Sequence, residues 1–196
     1  VATGGVLNLS PDVQLRYAQQ THTGMLQASG TWAGTCVHEV AADVVISDRV
    51  TLTIQPGAVV KFAAGQGLQV QAGGQLIAEG SSAMPITFTS LKDDAVGGDT
   101  NRDGSATAPD AGDWRSIRLD GGTASLKHTE VRYGGNSTVN AYGAGGLLES
   151  VGAMLTVENS WIRESVKDGI LAGGTVAVTN SLITATDRGI TAWGDV

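Results

Sequence analysis

The chain has 196 residues, a formal net charge of −7, 28 Gly, one Cys and only 5% aromatic residues. That length suffices for one domain with a continuous core. The acidic balance argues against nucleic acid and anionic membrane surfaces, both of which need basic patches, and favours a protein that holds cations. Cys36 is alone, which excludes an intrachain disulfide. No apolar run reaches the roughly eighteen residues that a membrane span requires. The sequence opens at Val1 with neither Met nor a signal peptide, and it reads as a mature or excised piece of a longer protein.

Residues 1–43 fit no regular pattern and are expected to form an N-terminal cap and entry segment, covering strand edges that would otherwise be open. Ser10-Pro11-Asp12 suits a helix start, whereas Val13, Leu15 and Tyr17 alternate as a strand would, and both readings stay open. Trp32 and His38 fall at the entry to the first regular coil, which runs from Val44 through Val50-Thr-Leu-Thr-Ile54, a Pro56-Gly57 corner and Val59-Val-Lys-Phe62. A second coil follows with Leu68-Gln-Val-Gln71, the Gly73-Gly74 corner, Gln75-Leu-Ile-Ala78 and Ile86-Thr-Phe-Thr-Ser90. The phrases 50–62, 74–78 and Pro85–Ser90 resemble the opening of bacterial right-handed parallel β-helix repeat domains. These are similar in fold to pectate lyases and common in large secreted and surface-attached proteins. The resemblance spans residues 44–193 and implies a fold far more strongly than an activity.

Residues 91–113 break the rhythm with a polar, Gly-rich stretch that cannot build a core, the kind of loop that is functional or disordered. Within it, Asp99, Asn101, Asp103, Thr107 and Asp110 stand at positions 1, 3, 5, 9 and 12 of a calcium loop, with Gly104 at position 6 and the Ser105 carbonyl at position 7. Calcium needs about six to eight oxygens, so alternate side chains must turn inward while a Gly allows the sharp bend. The motif resembles the loops of EF-hands and dockerins, but without flanking helices and with Asp110 in place of the longer Glu. The ion would therefore stabilise a loop rather than drive a helix switch. Asp93, Asp94 and Asp113 are near enough in sequence to complete the shell. The competing reading is a solvated acidic loop.

The strands resume at Trp114, with Ile117 and Leu119 inward and Arg118 and Asp120 outward, then Gly121-Gly122 and Ala124–Val131; residues 134–144 form a second, smaller excursion. Leu155-Thr-Val-Glu-Asn-Ser-Trp-Ile162 then recurs as Val176-Ala-Val-Thr-Asn-Ser-Leu-Ile183, placing Asn159 and Asn180 at a spacing of 21. Gly146-Leu, Gly169-Ile and Gly189-Ile keep the same beat. A period just above twenty with strand alternation indicates an all-β solenoid, a right-handed parallel β-helix of stacked coils over residues 44–196. Stacked Asn side chains are expected to hydrogen-bond from coil to coil at the corner, with His128 in the same slot. A solenoid should not end on an open edge, so further chain or a partner is expected beyond Val196.

Catalytic signals are sparse. No paired carboxylates at one rung, no Ser/His/Asp elbow, no phosphate loop and no His-rich metal cluster is present. Outward columns are expected to run Glu130, Trp161, Leu182 and Arg132, Arg163, Thr184, so Arg132, Arg163 and Trp161 form a candidate ligand face for an acidic polysaccharide, with Arg118 on another face. The plainer reading of that face is a solvated surface of mixed charge, and core or corner packing is the commoner use of Trp32, Trp114 and Trp161. The sequence thus indicates a calcium-stabilised extracellular or cell-surface module, structural or adhesive, whose partners are other domains or subunits of an assembly. The alternative is a carbohydrate-active β-helix, a polysaccharide lyase or carbohydrate-binding solenoid.

Overall fold

The computed structural model describes residues 18–138, 145–184 and 186–193. The open choice at residues 10–17 lies outside these. The described chain is all-β, with sixteen strands in one long, parallel-paired sheet and no helix. Three ladders account for the pairing. The first joins β1 (Ala18–Leu26), β3 (Cys36–Ile46), β5 (Val59–Phe62), β8 (Ile86–Ser90), β11 (Thr129–Arg132), β13 (Trp161–Arg163) and β15 (Leu182–Thr184). The second takes the later halves of β1 and β3, then β6 (Leu68–Gln71), β9 (Ile117–Asp120), β12 (Gly146–Glu158), β14 (Asp168–Thr179) and β16 (Ile190–Ala192). The third runs through β2 (Gly30–Trp32), β4 (Thr51–Ile54), β7 (Gln75–Glu79), β10 (Thr123–Lys127) and the later halves of β12 and β14. From β1 onward the chain visits the ladders in one order, so pairing is already regular within the segment assigned to the N-terminal cap.

Period-two alternation explains the interior. Leu52, Leu76, Ala124, Leu155 and Val176 occupy matched positions of the third ladder, and Ile54, Ala78, Leu126, Val157 and Val178 form the next column. All but the two valines at the end are buried, and those two are partly buried against the same core. A one-residue slip would turn each column outward, so the register is strongly specified.

The corner between the third and first ladders carries the repeated Asn. His128, Asn159 and Asn180 have φ of 46°, 51° and 50°. They are flanked by matched pairs, Lys127, Glu158 and Thr179 before them and Glu130, Trp161 and Leu182 after, which sets them one above another. The expected amide ladder is not what joins them: Asn159 Nδ2 donates to Glu158 Oε1 at 2.9 Å, within its own coil. Their main chain bonds across, His128 N to the Glu158 carbonyl and Asn159 N to the Thr179 carbonyl, both at 3.0 Å, and the side-chain link comes from the next residue, where Thr129 N donates to Ser160 Oγ at 3.0 Å and Ser160 N to Ser181 Oγ at 3.1 Å. Asn is therefore used for its tolerance of left-handed backbone, and Ser for the bond. Asn159→Val is expected to lower stability by about 1–2 kcal/mol, and Asn159→Gly by much less, measured by urea denaturation.

Both excursions leave the same corner, between the first and second ladders: residues 91–116 separate β8 from β9, and residues 133–145 separate β11 from β12. Of the second excursion, residues 139–144 lie outside the described residues.

Candidate cation site in the 91–113 loop

The loop is tied at its neck and laid back over the outer side of the first ladder. Lys92 Nζ meets Asp113 Oδ1 at 2.7 Å, and Ser90 Oγ donates to Asp113 Oδ2 at 2.7 Å, so entry and exit are held together. Asp93, 1% exposed, accepts from Arg132 at 2.6 and 2.9 Å and from Thr89 Oγ1 at 2.6 Å. Further along, fully buried Lys61 donates to the Gly98 carbonyl at 2.6 Å. Gly97, at φ 70°, passes so close that an added Cβ would stand 2.8 Å from Val37 Cγ2. These contacts fix the path of the loop on either side of its acidic residues, of which Asp94 and Asp103 are partly buried and Asp99 is exposed.

There the carboxylates converge. Oxygens of Asp94, Asp99 and Asp103 lie within 4.8 Å of one another. Asp99 organises the turn by accepting from the main-chain N of Asp103 at 3.2 Å and of Gly104 at 3.0 Å. Gly104 has φ 71°, the bend that position 6 requires. Asn101 Nδ2 donates to Asp103 Oδ2 at 2.9 Å and to Thr107 Oγ1 at 3.2 Å, and Thr107 Oγ1 donates to Asp103 Oδ2. Four oxygens of this loop are buried without a hydrogen-bond partner: Asp94 Oδ1, Thr100 Oγ1, Asn101 Oδ1 and Asp103 Oδ1. Oxygen acceptors left without donors in a cluster of carboxylates are the chemistry of a hard cation. Burial, followed by Asp99, raises the Asp94 carboxyl above its ordinary range; Lys61 opposes this, and Asp103 and Asp93 add to it. Burial pushes the Lys61 ammonium down, opposed by Asp93, Asp94 and Asp99. Three carboxylates beside one ammonium leave two negative charges, which one divalent cation neutralises.

The sequence-designated ligands therefore divide. Asp99, Asn101, Asp103 and Thr107 are brought together, and Asp94 joins them. Asp110 lies outside the carboxylate cluster and is exposed; its Oδ1 accepts from Ala111 N at 2.8 Å, while its own N donates to Asp113 Oδ2 at 3.1 Å. Ser105 is exposed, and Asp93 and Asp113 serve as the anchors described above. Lys61 carried no motif. A lysine inside an otherwise apolar strand, Val59-Val-Lys-Phe62, was the available signal.

The candidate ligand face has the expected register: Glu130 stands beside Trp161, and Arg132 beside Arg163. Its cations are engaged within the molecule. Arg132 is 8% exposed and held by Asp93 and Glu130, while Arg163 meets Glu130 and Glu164 at 2.6 Å. Both guanidiniums also lie near the Tyr133 ring. Trp161 is exposed, with Arg163 over its ring at 4.5 Å. Trp32 and Trp114 are core residues. On the second ladder, a polar cavity of about 270 Å³ is lined by Arg115, Arg118, Asp43, Asp120 and buried Glu149 among others. Its arginines too are paired, Arg115 with Asp43 at 2.6 Å and Arg118 with Asp120 at 2.7 Å. An acidic sugar would have to displace these carboxylates to reach a guanidinium.

No protein-family model, curated protein or solved structure matches the chain. Among the described residues, no helix is long and apolar enough to cross a membrane.

Proposed function

We propose that this chain is a right-handed parallel β-helix module, stabilised by one calcium ion in its 91–113 loop, with a structural or adhesive role in a larger secreted or cell-surface assembly. The fold reading is supported by the unvarying order in which the chain visits three parallel ladders, and by the matched corner residues His128, Asn159 and Asn180. Calcium is supported chiefly by one observation: the oxygens of Asp94, Asp99 and Asp103 gather within 4.8 Å, with buried acceptors left unpartnered on Asp94, Asn101 and Asp103. Asp94, Asp99, Asn101 and Asp103 would hold the ion, which would neutralise the cluster and compensate the entropy lost in ordering a loop with little apolar surface. An assembly role is supported by the exposed Trp161, Leu182, Ile190 and Trp193 on the last coils, beside strands β15 and β16 that are paired on one side only among the described residues.

Calorimetry with calcium and then with excess chelator tests the reading. At a free calcium concentration a hundredfold above Kd, Tm is expected to rise by about 5–10 °C over the chelated protein. Asp99→Ala is expected to abolish that difference. An identical melt with and without calcium rejects the site.

A further inference from the structure

The first coil contains an apolar-sided cluster that the calcium reading does not use. His22 of β1 stacks on Trp32 of β2, with ring centroids 4.0 Å apart, and Trp32 stacks on His38 of β3 at 5.0 Å. His22 Nε2 lies 3.0 Å from His38 Nδ1, and His38 Nε2 lies 2.9 Å from the Ala33 carbonyl. The carbonyl can only accept, so His38 carries its proton on Nε2. Its bare Nδ1 must then accept from His22 Nε2–H. That is the neutral pair; it can hold at most one further proton, with His22 then accepting, since two imidazolium rings would set donor against donor.

Among the described residues, no carboxylate bonds to either ring. On β3, Glu39 alternates to the opposite side, where Gln19 Nε2 donates to it at 2.7 Å and Thr21 Oγ1 at 3.5 Å. On β5, Lys61 pairs in register with Glu39 and lies on that same side, while Val60 stands opposite His38. On β2 the neighbour is Trp32. Burial lowers both histidines, and repulsion from His38 takes His22 further, to about 4. Beyond main-chain pairing with β3 and the partly buried Leu26, the side chains of β1 contribute little: seven of its nine residues, Ala18–Thr21 and Thr23–Met25, are exposed.

We propose that the His22–Trp32–His38 stack is an acid-labile latch that docks β1 on the edge of β3, and that acidification releases this strand while the coils behind it stay folded. Each imidazole is kept neutral in the docked state and is free to take up a proton once β1 leaves. The sign follows. Docking is fully supported above the ordinary histidine value near 6.5, and it is lost as pH falls from there toward the docked-state value of about 4. Each histidine that gains a proton on release steepens the opening equilibrium by up to tenfold per pH unit. Release would uncover the main-chain edge of β3 and the face of Trp32, a surface suited to pairing with another strand.

Hydrogen exchange read by mass spectrometry on the calcium-loaded chain tests the latch. Between pH 7 and pH 5, protection factors of the β1 amides are expected to fall at least tenfold, while those of β5 and β8 hold. In His22→Phe/His38→Gln, which keeps an aromatic ring on Trp32 and a donor toward Ala33, the pH-dependence of β1 is expected to vanish. Should that variant fail to fold, ring titration in the unmodified protein by NMR decides, with His22 expected to titrate well below 6. Protection that ignores pH, an equal fall in the variant, β1 opening only together with β5, or a His22 ring titrating at its ordinary value would each overturn the proposal.

Discussion

Asp93→Ala is expected to lower stability by about 3–5 kcal/mol, the range for removing one partner of a buried ion pair. Asp93 is 1% exposed, and its carboxylate is the main partner of Arg132, whose side chain is 10% exposed. The loss of Asp93 leaves the guanidinium with Glu130 as its one carboxylate partner among the described residues, and Glu130 is already shared with Arg163. Thr89 Oγ1 loses its acceptor as well. Arg132→Met alone should cost a similar amount, because Asp93 is then buried without the cation that hydrogen-bonds it, leaving only the through-space attraction of Lys61. The double variant Asp93→Ala/Arg132→Met should cost clearly less than the two singles added together, since no unpaired charge remains. Urea denaturation of the four proteins in chelator measures the coupling free of any contribution from cation binding at the adjoining carboxylates. Additive losses would mean that the pair does not anchor the loop.

Trp114→Ala is expected to cost about 3–5 kcal/mol. The indole is fully buried at the point where the chain returns from the 91–113 excursion, and it stacks on Phe62 with centroids 4.1 Å apart and planes 7° from parallel. Its Nε1 donates to the Arg132 carbonyl at 2.8 Å. Alanine therefore opens a cavity in the core, forfeits a ring pair and strands a buried carbonyl. Trp114→Phe keeps the ring contact and should lose about half as much. Thermal or urea unfolding followed by far-UV circular dichroism checks both. A loss under 1 kcal/mol for the alanine variant would show that the return from the loop is not fixed by this residue.

Much of the architecture was legible because stacked parallel strands repeat chemistry in register. The phrases at 50–54, 59–62, 68–71, 75–78 and 86–90 are found as strands at Thr51–Ile54, Val59–Phe62, Leu68–Gln71, Gln75–Glu79 and Ile86–Ser90. The equivalence of His128 with Asn159 and Asn180, and the columns Glu130, Trp161, Leu182 and Arg132, Arg163, Thr184, were readable from spacing alone. β1 was not legible: Ala18–Leu26 is polar on both faces, so no alternation marks it as a strand. Nor was the way the acidic loop folds back. Lys61 and Arg132 are remote in sequence from the residues they hold, and only the path of the excursion brings them to Gly98 and Asp93. Linear spacing offered Asp110 within the motif and Asp94 as an addition from before it, and it is Asp94 whose carboxylate gathers with Asp99 and Asp103.

The most direct test is an anomalous-scattering map from crystals grown with calcium or a lanthanide in its place. One strong site is expected in this loop, within about 2.3–2.6 Å of oxygens from Asp94, Asp99, Asn101 and Asp103 for calcium, with Asp93 still on Arg132. No peak at millimolar calcium, or a peak elsewhere while these four side chains stay unligated, would contradict it.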